Sequence, residues 1–421
     1  MSTVLDDVWQ TIARRRTFYA PAKRDIAAIE KDCAALLRLG PDAGKRVAQA
    51  ILETYAGFSQ QDRRSFFRFL ADGLDLDPEA VVTAAARYRD ERSPAHLEAV
   101  LAASEPQRQM LLRRLNALPG ATAEIVAMRA DLLALLPDEP DLARVDLDFA
   151  HLFASWFNRG FLELRRISWD SSAAVLAKII AYEAVHEING WNDLRSRLQQ
   201  ADRRCYAFFH PAMPGEPLVF TELALVRGVP DSVQRVLDEN REEQPAAKAD
   251  TAVFYSISNC QAGLRGVSFG NLLIKQVVAD LARELPNLKT YVTLSPLPGF
   301  ARWLAKRGPV PEDPAALTAA AAHHLSKGKR SDGQPIDPVA RFHLANGARI
   351  EAVHAGADTS PNGAAQSHGV MVNYLYDLSE VEANQEAFAA SGTVATSRSV
   401  RSRASAFKSV EPERLPKGHA A

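Results

Sequence analysis

Apolar positions in the first third of the chain recur at helical spacing. Ile26, Ile29, Cys33 and Leu36 follow i, i+3, i+7 and i+10, and Gly40-Pro41 closes that run. Val47, Ala50, Ile51 and Tyr55 mark a second helix. Ser59 with Asp62 forms an N-cap pair ahead of Phe66, Phe67, Phe69 and Leu70. The pattern predicts further helices over Pro78–Asp90, Pro94–Ala103, Pro106–Leu118 and Ala121–Leu136, each opened or closed by Pro or Gly. Adjacent helices with short connections read as a bundle, and no repeat period is tight enough for a solenoid. Residues 1–156 carry no chemical constellation and read as a packing or oligomerisation module.

After the Pro-rich link Leu136–Leu142 the pattern changes. Phe153–Leu164 is aromatic, Ser171 caps a helix running to about Glu187, and Tyr206–Val226 gives two strand-like runs around a Pro/Gly turn. Residues 227–250 are polar and predict a helix with a loop. Ala252–Ser258 is a short apolar and β-branched run that suits a buried strand. Gly263, Gly266 and Gly270 then punctuate a loop, and Leu272, Leu273, Val277, Val278 and Leu281 recur at helical spacing. Leu288–Leu294 is the next strand and ends at Ser295-Pro296. Residues 308–337 predict a helix within a loose insertion. Asp337–Gly347 reads as a short helix, with Pro338 in its first turn and Asn346-Gly347 at its C-cap. Arg349–Val353 and Met371–Tyr376 are later strands, and the Ser/Arg-rich chain beyond about Gly392 reads as a mobile or docking tail. The fold class is therefore multi-domain α/β, with a helical domain over 1–156 and a second domain over 157–421.

Composition narrows the function classes. At 421 residues the chain is long for one core. A net charge of −1 argues against broad nucleic-acid binding. Cys33, Cys205 and Cys260 are an odd, scattered set without a CxxC, so neither a disulfide framework nor a metal site is supported. No run reaches the roughly 18 apolar residues of a membrane span. The opening MSTVLDDVWQTIARRR lacks an apolar core followed by a cleavage site, and the closing LPKGHAA is not an organelle address. The expectation is a cytoplasmic, reduced protein.

A glycine-rich turn entering a helix offers free backbone N–H groups to an anion, here expected to be a pyrophosphate. No Gly-Lys-Ser/Thr follows, so this is not a Walker A loop, and the glycine spacing is wrong for a dinucleotide fingerprint. The segment Arg265, Gly266, Val267, Ser268, Phe269, Gly270 and Asn271 resembles the pyrophosphate loop of the GNAT acyltransferase superfamily, with Ser268 in place of the middle glycine. That resemblance implies a GNAT-like α+β acyl-CoA-binding domain after the N-terminal all-α helical bundle.

The surrounding words make the likeness closer. HPAMPGEPLVF (His210–Phe220), FYSIS (Phe254–Ser258), GLRGVSFG (Gly263–Gly270), LSPLPGF (Leu294–Phe300), DPVARFHLANGA (Asp337–Ala348) and GVMVNYLYDL (Gly369–Leu378) occur in that order. Together they resemble the malonyl-CoA decarboxylase family, from about Ser155 to Leu378. The resemblance implies conversion of malonyl-CoA to acetyl-CoA and CO2, with coenzyme A as part of the substrate and no metal or organic cofactor. It implies a catalytic pair at Ser295 and His343, and a homo-oligomer, dimer or tetramer, built through the helical domain. Where the family often carries a glutamate in the glycine loop, this chain has Ser268, so a supporting carboxylate is relocated or absent.

Such a reaction leaves a thioester enolate, which needs its oxyanion stabilised and its carbon protonated. Ser295, at a strand end before Pro296, is expected to present its side chain, and His343 lies on a short helix closed by Asn-Gly. Taken alone, a Ser before Pro is usually a turn residue and a His beside Phe and Leu is usually core. His210, Glu216 and Glu222 read as structural residues in or beside a turn between strands. His354 and His368 flank a polar loop that reads as structural, with contact to the acyl or pantetheine group as the alternative, and His323-His324 reads as solvated surface. Two other readings fit the same loop: an acyl-CoA-dependent N-acyltransferase, and a non-catalytic scaffold that binds coenzyme A.

Overall fold

The computed structural model describes residues 25–267 and 270–407 and divides into two compact units. Of the described residues, the first unit holds 25–161 together with 210–214 and 261–267. The second holds 162–209, 215–260 and 270–407.

Capping and apolar stripes set the helices of the first unit. α1 (Ile26–Arg38) starts where the Asp25 carboxylate accepts the Ala28 N–H, and it buries the expected Ile29, Cys33 and Leu36. α2 (Pro41–Ala56) opens on its proline. α3 (Gln60–Asp72) carries a reciprocal cap: Ser59 Oγ accepts the Asp62 N–H and the Asp62 carboxylate accepts the Ser59 N–H. Its buried face is Phe66, Phe67 and Leu70, with Phe66 5.3 Å from the Tyr55 ring centroid. α4 (Pro78–Asp90), α5 (Pro94–Ala103), α6 (Gln107–Asn116), α7 (Ala121–Leu135) and α8 (Ala143–Trp156) follow. Arg108 on α6 is buried between Asp75, at 2.8 Å, and Asp148 of α8, so both charges it compensates lie in the same unit.

The second unit is a mixed sheet. β1 (Glu163–Ile167), β2 (Arg203–Phe209), β3 (Val219–Val226) and β4 (Thr251–Asn259) form an antiparallel series. Between β1 and β2 lie α9 (Ala173–Tyr182), capped by Ser172 rather than Ser171, and α10 (Trp191–Leu198). The polar stretch 227–250 supplies only the short α11 (Val233–Leu237). After β4, α12 (Gly270–Glu284) crosses over to β5 (Thr290–Thr293), which pairs with β4 in parallel. β6 (Ser295–Pro296), α13 (Phe300–Ala305), α14 (Pro314–Lys327), α15 (Pro338–Ala345), β7 (Arg349–His354), α16 (Pro361–Ser367), β8 (Met371–Leu375), α17 (Val381–Ser391) and α18 (Arg398–Ala406) complete the order. β8 is central to this second half and pairs with β5, β6 and β7.

Four expectations are corrected. The insertion around α14 is not loose, because Leu317, Ala320, Ala321, Ala322 and Leu325 are buried. His324 lies in that buried face at 1 % exposure instead of on solvated surface. Glu222 is not beside a turn but mid-strand in β3, fully buried against Arg197 at 3.2 Å. The segment from Gly392 to Phe407 is not a loose tail. Ile350 N–H donates to Ala395 O, Ser397 N–H donates to Ile350 O, and α18 buries Val400 and Ala404. Small residues at 400 and 404 lie one helical turn apart and make an apolar seam that the arginines between them conceal in composition.

Candidate active site

The parallel ladder between β4 and β5 ends at Phe254 and Thr293, with one further bond from Leu294 N–H to Phe254 O. Beyond that point β4 runs on to Asn259 beside β3, while the other chain turns into β6 against β8. The two strands therefore part. At the same level β4 carries a bulge: Glu222 opposes Ser256 and Leu223 opposes Phe254, which leaves Tyr255 as the extra residue. A cavity of about 250 Å³ fills the gap. Its walls are Tyr255, Ser256 and Asn259 of β4, Ser295 and Pro296 of β6, and Phe342 with His343 of α15.

Ser295 and His343 are 48 residues apart and the fold joins them: Ser295 Oγ lies 3.2 Å from His343 Nε2. Ser295 is only 7 % exposed, so the strand end holds its side chain against the wall instead of in open solvent. Its hydroxyl donates to Thr293 Oγ1 at 2.9 Å, which leaves Oγ as acceptor towards Nε2–H. On the other side of the ring, Nδ1 accepts the Tyr376 hydroxyl at 2.7 Å. Tyr374 stacks on the imidazole, 4.4 Å between ring centroids and 24° between planes. Burial pushes His343 down to about 3 and holds Tyr376 far above its ordinary value. At neutral pH the chain Tyr376–His343–Ser295 is thus uncharged, with a proton on every link. Such a chain can pass a proton to an atom placed beside Ser295.

The glycine loop resolves into separate structural tasks. A Cβ on Gly263 would sit 1.8 Å from Val126 O of α7, so glycine is required there by close packing. Arg129 of α7 donates to Gly263 O at 2.8 Å and to Arg265 O at 2.9 Å. Gly266 has φ +87°. The N–H groups of Arg265 and Val267 donate within the turn to Ala262 O and Leu264 O. Ser268 and Phe269 lie outside the described residues. From Gly270 the chain is already α12, whose first N–H groups have no intrahelical acceptor.

The remaining candidates have local duties. Glu216 pairs with Lys178 at 2.7 Å. His210 Nε2 lies 3.1 Å from Trp156 O within the first unit. His354 meets Asn373 Oδ1 at 2.5 Å, and His368 is the left-handed C-cap of α16 at φ 53°. Sequence reasoning passed over Tyr376, Thr293 and Ser256. Their signal was present as polar residues inside or at the end of apolar strands, in FYSIS, TYVTL and VNYLY. Among the described residues no group of His, Cys, Asp and Glu is arranged to hold a metal ion, and no helix is long and apolar enough to cross a membrane.

Comparison with known proteins gives the class of the molecule. A crystal structure of malonyl-CoA decarboxylase from Agrobacterium vitis aligns with a TM-score of 0.85 at 47 % identity, covering 89 % of this chain and 99 % of that one. The corresponding structure from Rhodopseudomonas palustris aligns at 0.84 and 44 %, covering 90 % and 100 %. A helical unit followed by a mixed-sheet unit is the architecture the chain shares with these decarboxylases. The malonyl-CoA decarboxylase C-terminal domain profile matches residues 160–313 and 310–414, and the N-terminal domain profile matches 74–157. The mitochondrial malonyl-CoA decarboxylase of Anser anser anser is 32 % identical over 429 residues, 87 % of this chain and 85 % of that protein. The chain belongs to the malonyl-CoA decarboxylase family.

Proposed function

We propose that the chain converts malonyl-CoA to acetyl-CoA and CO2 in the cavity between β4 and β6. The observation that carries this reading is the uncharged, proton-loaded chain Tyr376–His343–Ser295 opening on that cavity. The bond from the α-carbon to the carboxylate breaks, CO2 leaves, and the electron pair passes into the thioester as an enolate. The edge of β4 past Phe254 is not paired to β5 and faces the place where that oxyanion forms. The Ser295 hydroxyl then turns from Thr293 to the α-carbon and protonates it, while His343 Nε2–H refills Ser295. Nδ1 takes the Tyr376 proton in the same relay, and solvent restores the last proton. A neutral imidazole suits this task, since an imidazolium would hold the substrate carboxylate instead of releasing it as CO2.

We infer that coenzyme A phosphate binds at the opening of α12, Gly270 and Asn271, where the N–H groups of a helix start and the helix dipole favour an anion. Three buried, free cysteines fit a reduced, cytoplasmic setting. Exposed apolar side chains on α4 and α5 fit self-association.

Malonyl-CoA labelled at its free carboxyl tests the reading: labelled CO2 and acetyl-CoA should appear in equal amounts. Ser295→Ala and His343→Ala should each lower kcat by about 100-fold or more. Near-native kcat in both variants would remove the site assignment. Turnover of acetyl-CoA with amines, with no CO2 from malonyl-CoA, would favour the acyltransferase instead.

A further inference from the structure

The cavity has a second polar wall, opposite in hydrogen-bond polarity to the first. Ser256 of β4 lines the cavity, as Ser295 does. Behind it stands Glu183, the C-cap residue of α9, and the Ser256 hydroxyl donates to both of its oxygens, at 2.8 and 2.7 Å. Ser258 Oγ donates to Glu183 Oε2 at 3.2 Å, and the N–H groups of Val185 and His186 donate to Oε1 at 2.8 and 2.9 Å. Glu183 thus accepts from four groups and holds their protons away from the cavity. A hydroxyl carries one proton. Ser295 is backed by a donor, His343 Nε2–H, and rests its own proton only on the neutral Thr293 hydroxyl, from which it can turn to the substrate. Ser256 is backed by an acceptor, so it shows the cavity only lone pairs. Burial, and then the neighbouring Glu183, push Glu222 up to about 8.

Both polar ends of a malonyl thioester, the carboxylate and the thioester carbonyl, are acceptors, and neither is satisfied by an acceptor-only wall. We propose that Glu183 is a positioning residue that, by fixing the Ser256 proton, turns the acyl group so that its reacting carbon faces Ser295. This inference rests on the proposed decarboxylation. It makes Glu183 an orienting device which the sequence signals only as a carboxylate 73 residues from the serine it holds.

Glu183→Gln tests it. The backbone N–H groups of Val185 and His186 keep the amide oxygen at the Oε1 position, so the new NH2 lies where Oε2 was and donates to Ser256. The Ser256 proton loses the charged Oε2 and keeps only the neutral amide oxygen at the Oε1 position, 2.8 Å away, so it can turn into the cavity as a misplaced donor for the substrate carboxylate. The expected result is a kcat about tenfold lower with the malonyl-CoA KM unchanged or lower, since the new contact binds the ground state in the wrong orientation. Product inhibition by acetyl-CoA, which has no carboxylate, should stay within about twofold of wild type. Adding Ser256→Ala to Glu183→Gln removes the misplaced donor and should recover most of the lost kcat. A purely structural clamp would instead lower the melting temperature and raise the malonyl-CoA KM and the acetyl-CoA inhibition constant together. Wild-type protein that releases no CO2 overturns both this inference and the reading beneath it. Active wild type with an unchanged kcat in Glu183→Gln, or a double variant no faster than the single, overturns this inference alone.

Discussion

At the scale of single residues, burial and chemistry are separated by hydrogen bonding. His343 and His324 are equally buried, at 2 % and 1 % exposure. Both ring nitrogens of His324 lack hydrogen-bond partners among the described residues, whereas those of His343 meet Ser295 and Tyr376. A ring held at both nitrogens has one tautomer and one orientation, which a proton relay requires. Tyr376→Phe should therefore leave Nδ1 buried without a donor and allow the tautomer to invert. An orphaned buried acceptor costs about 1–3 kcal/mol, so kcat should fall roughly 10- to 100-fold. Steady-state kinetics with ¹⁵N shifts of the imidazole would check both halves. A full-rate variant with an unchanged tautomer would exclude Tyr376 from the relay. Ser295 and His343 were legible because each sits in a distinctive word of the sequence. Tyr376 and Glu183 were not, because their partners come from 33 and 73 residues away, across a helix-to-strand contact that no local pattern marks. Gly263 was legible only as punctuation of a loop; what requires a glycine there is the backbone of α7, packed too close for a Cβ.

At the scale of an element, α15 carries His343 and depends on an unusual cap. Asp337 accepts the Ala340 N–H at 2.8 Å as its N-cap, yet it is 1 % exposed and its Oδ2 has no partner among the described residues. The Val339 and Ala340 N–H groups and Arg341 favour its charge, but burial outweighs them and pushes it up to about 7. The neighbouring Tyr374 is itself held protonated by burial. The ordinary carboxyl value is 3.8, so between there and about 7 the native state binds more protons than the unfolded chain. Stability from this group is therefore present at low pH and is lost as pH rises through that window. Asparagine keeps the cap without the proton equilibrium. Asp337→Asn should gain stability over wild type as pH rises, by at most about 4 kcal/mol above pH 7. Denaturant melts at pH 5 and pH 8 decide it, and a larger deficit for the variant at pH 8 would refute it. The cap itself was legible, since Asp-Pro before an apolar stretch is a helix start. The ordered α18 was not, since its seam is only a valine and an alanine among serines and arginines.

At the scale of the whole molecule, the exposed side chains of the first unit support the proposed self-association. α5 spans 10 residues and buries none of them fully, while α4 buries only Ala84. A helix that short is marginal in water without a packed face. Val82, Leu97, Leu101 and Met110 nevertheless stand 63, 41, 64 and 42 % exposed on α4, α5 and α6. Apolar side chains spread over three successive helices of one unit are what a second copy would cover, and a two-fold contact would double each of them. Leu101→Glu places a charge in that contact, so sedimentation velocity at matched concentration should show the variant at the mass of one chain and wild type at two or more. Helical circular dichroism should be unchanged, because Leu101 contributes little to the fold of its own chain. The cavity is lined by residues of the second unit alone. The dissociated variant should therefore keep its kcat per chain within about twofold. A wild type already at the mass of one chain, or a variant that stays assembled, would count against the interface. An assembled wild type whose Leu101→Glu variant dissociates and loses its turnover would show that the helical half supports the chemistry as well as the assembly.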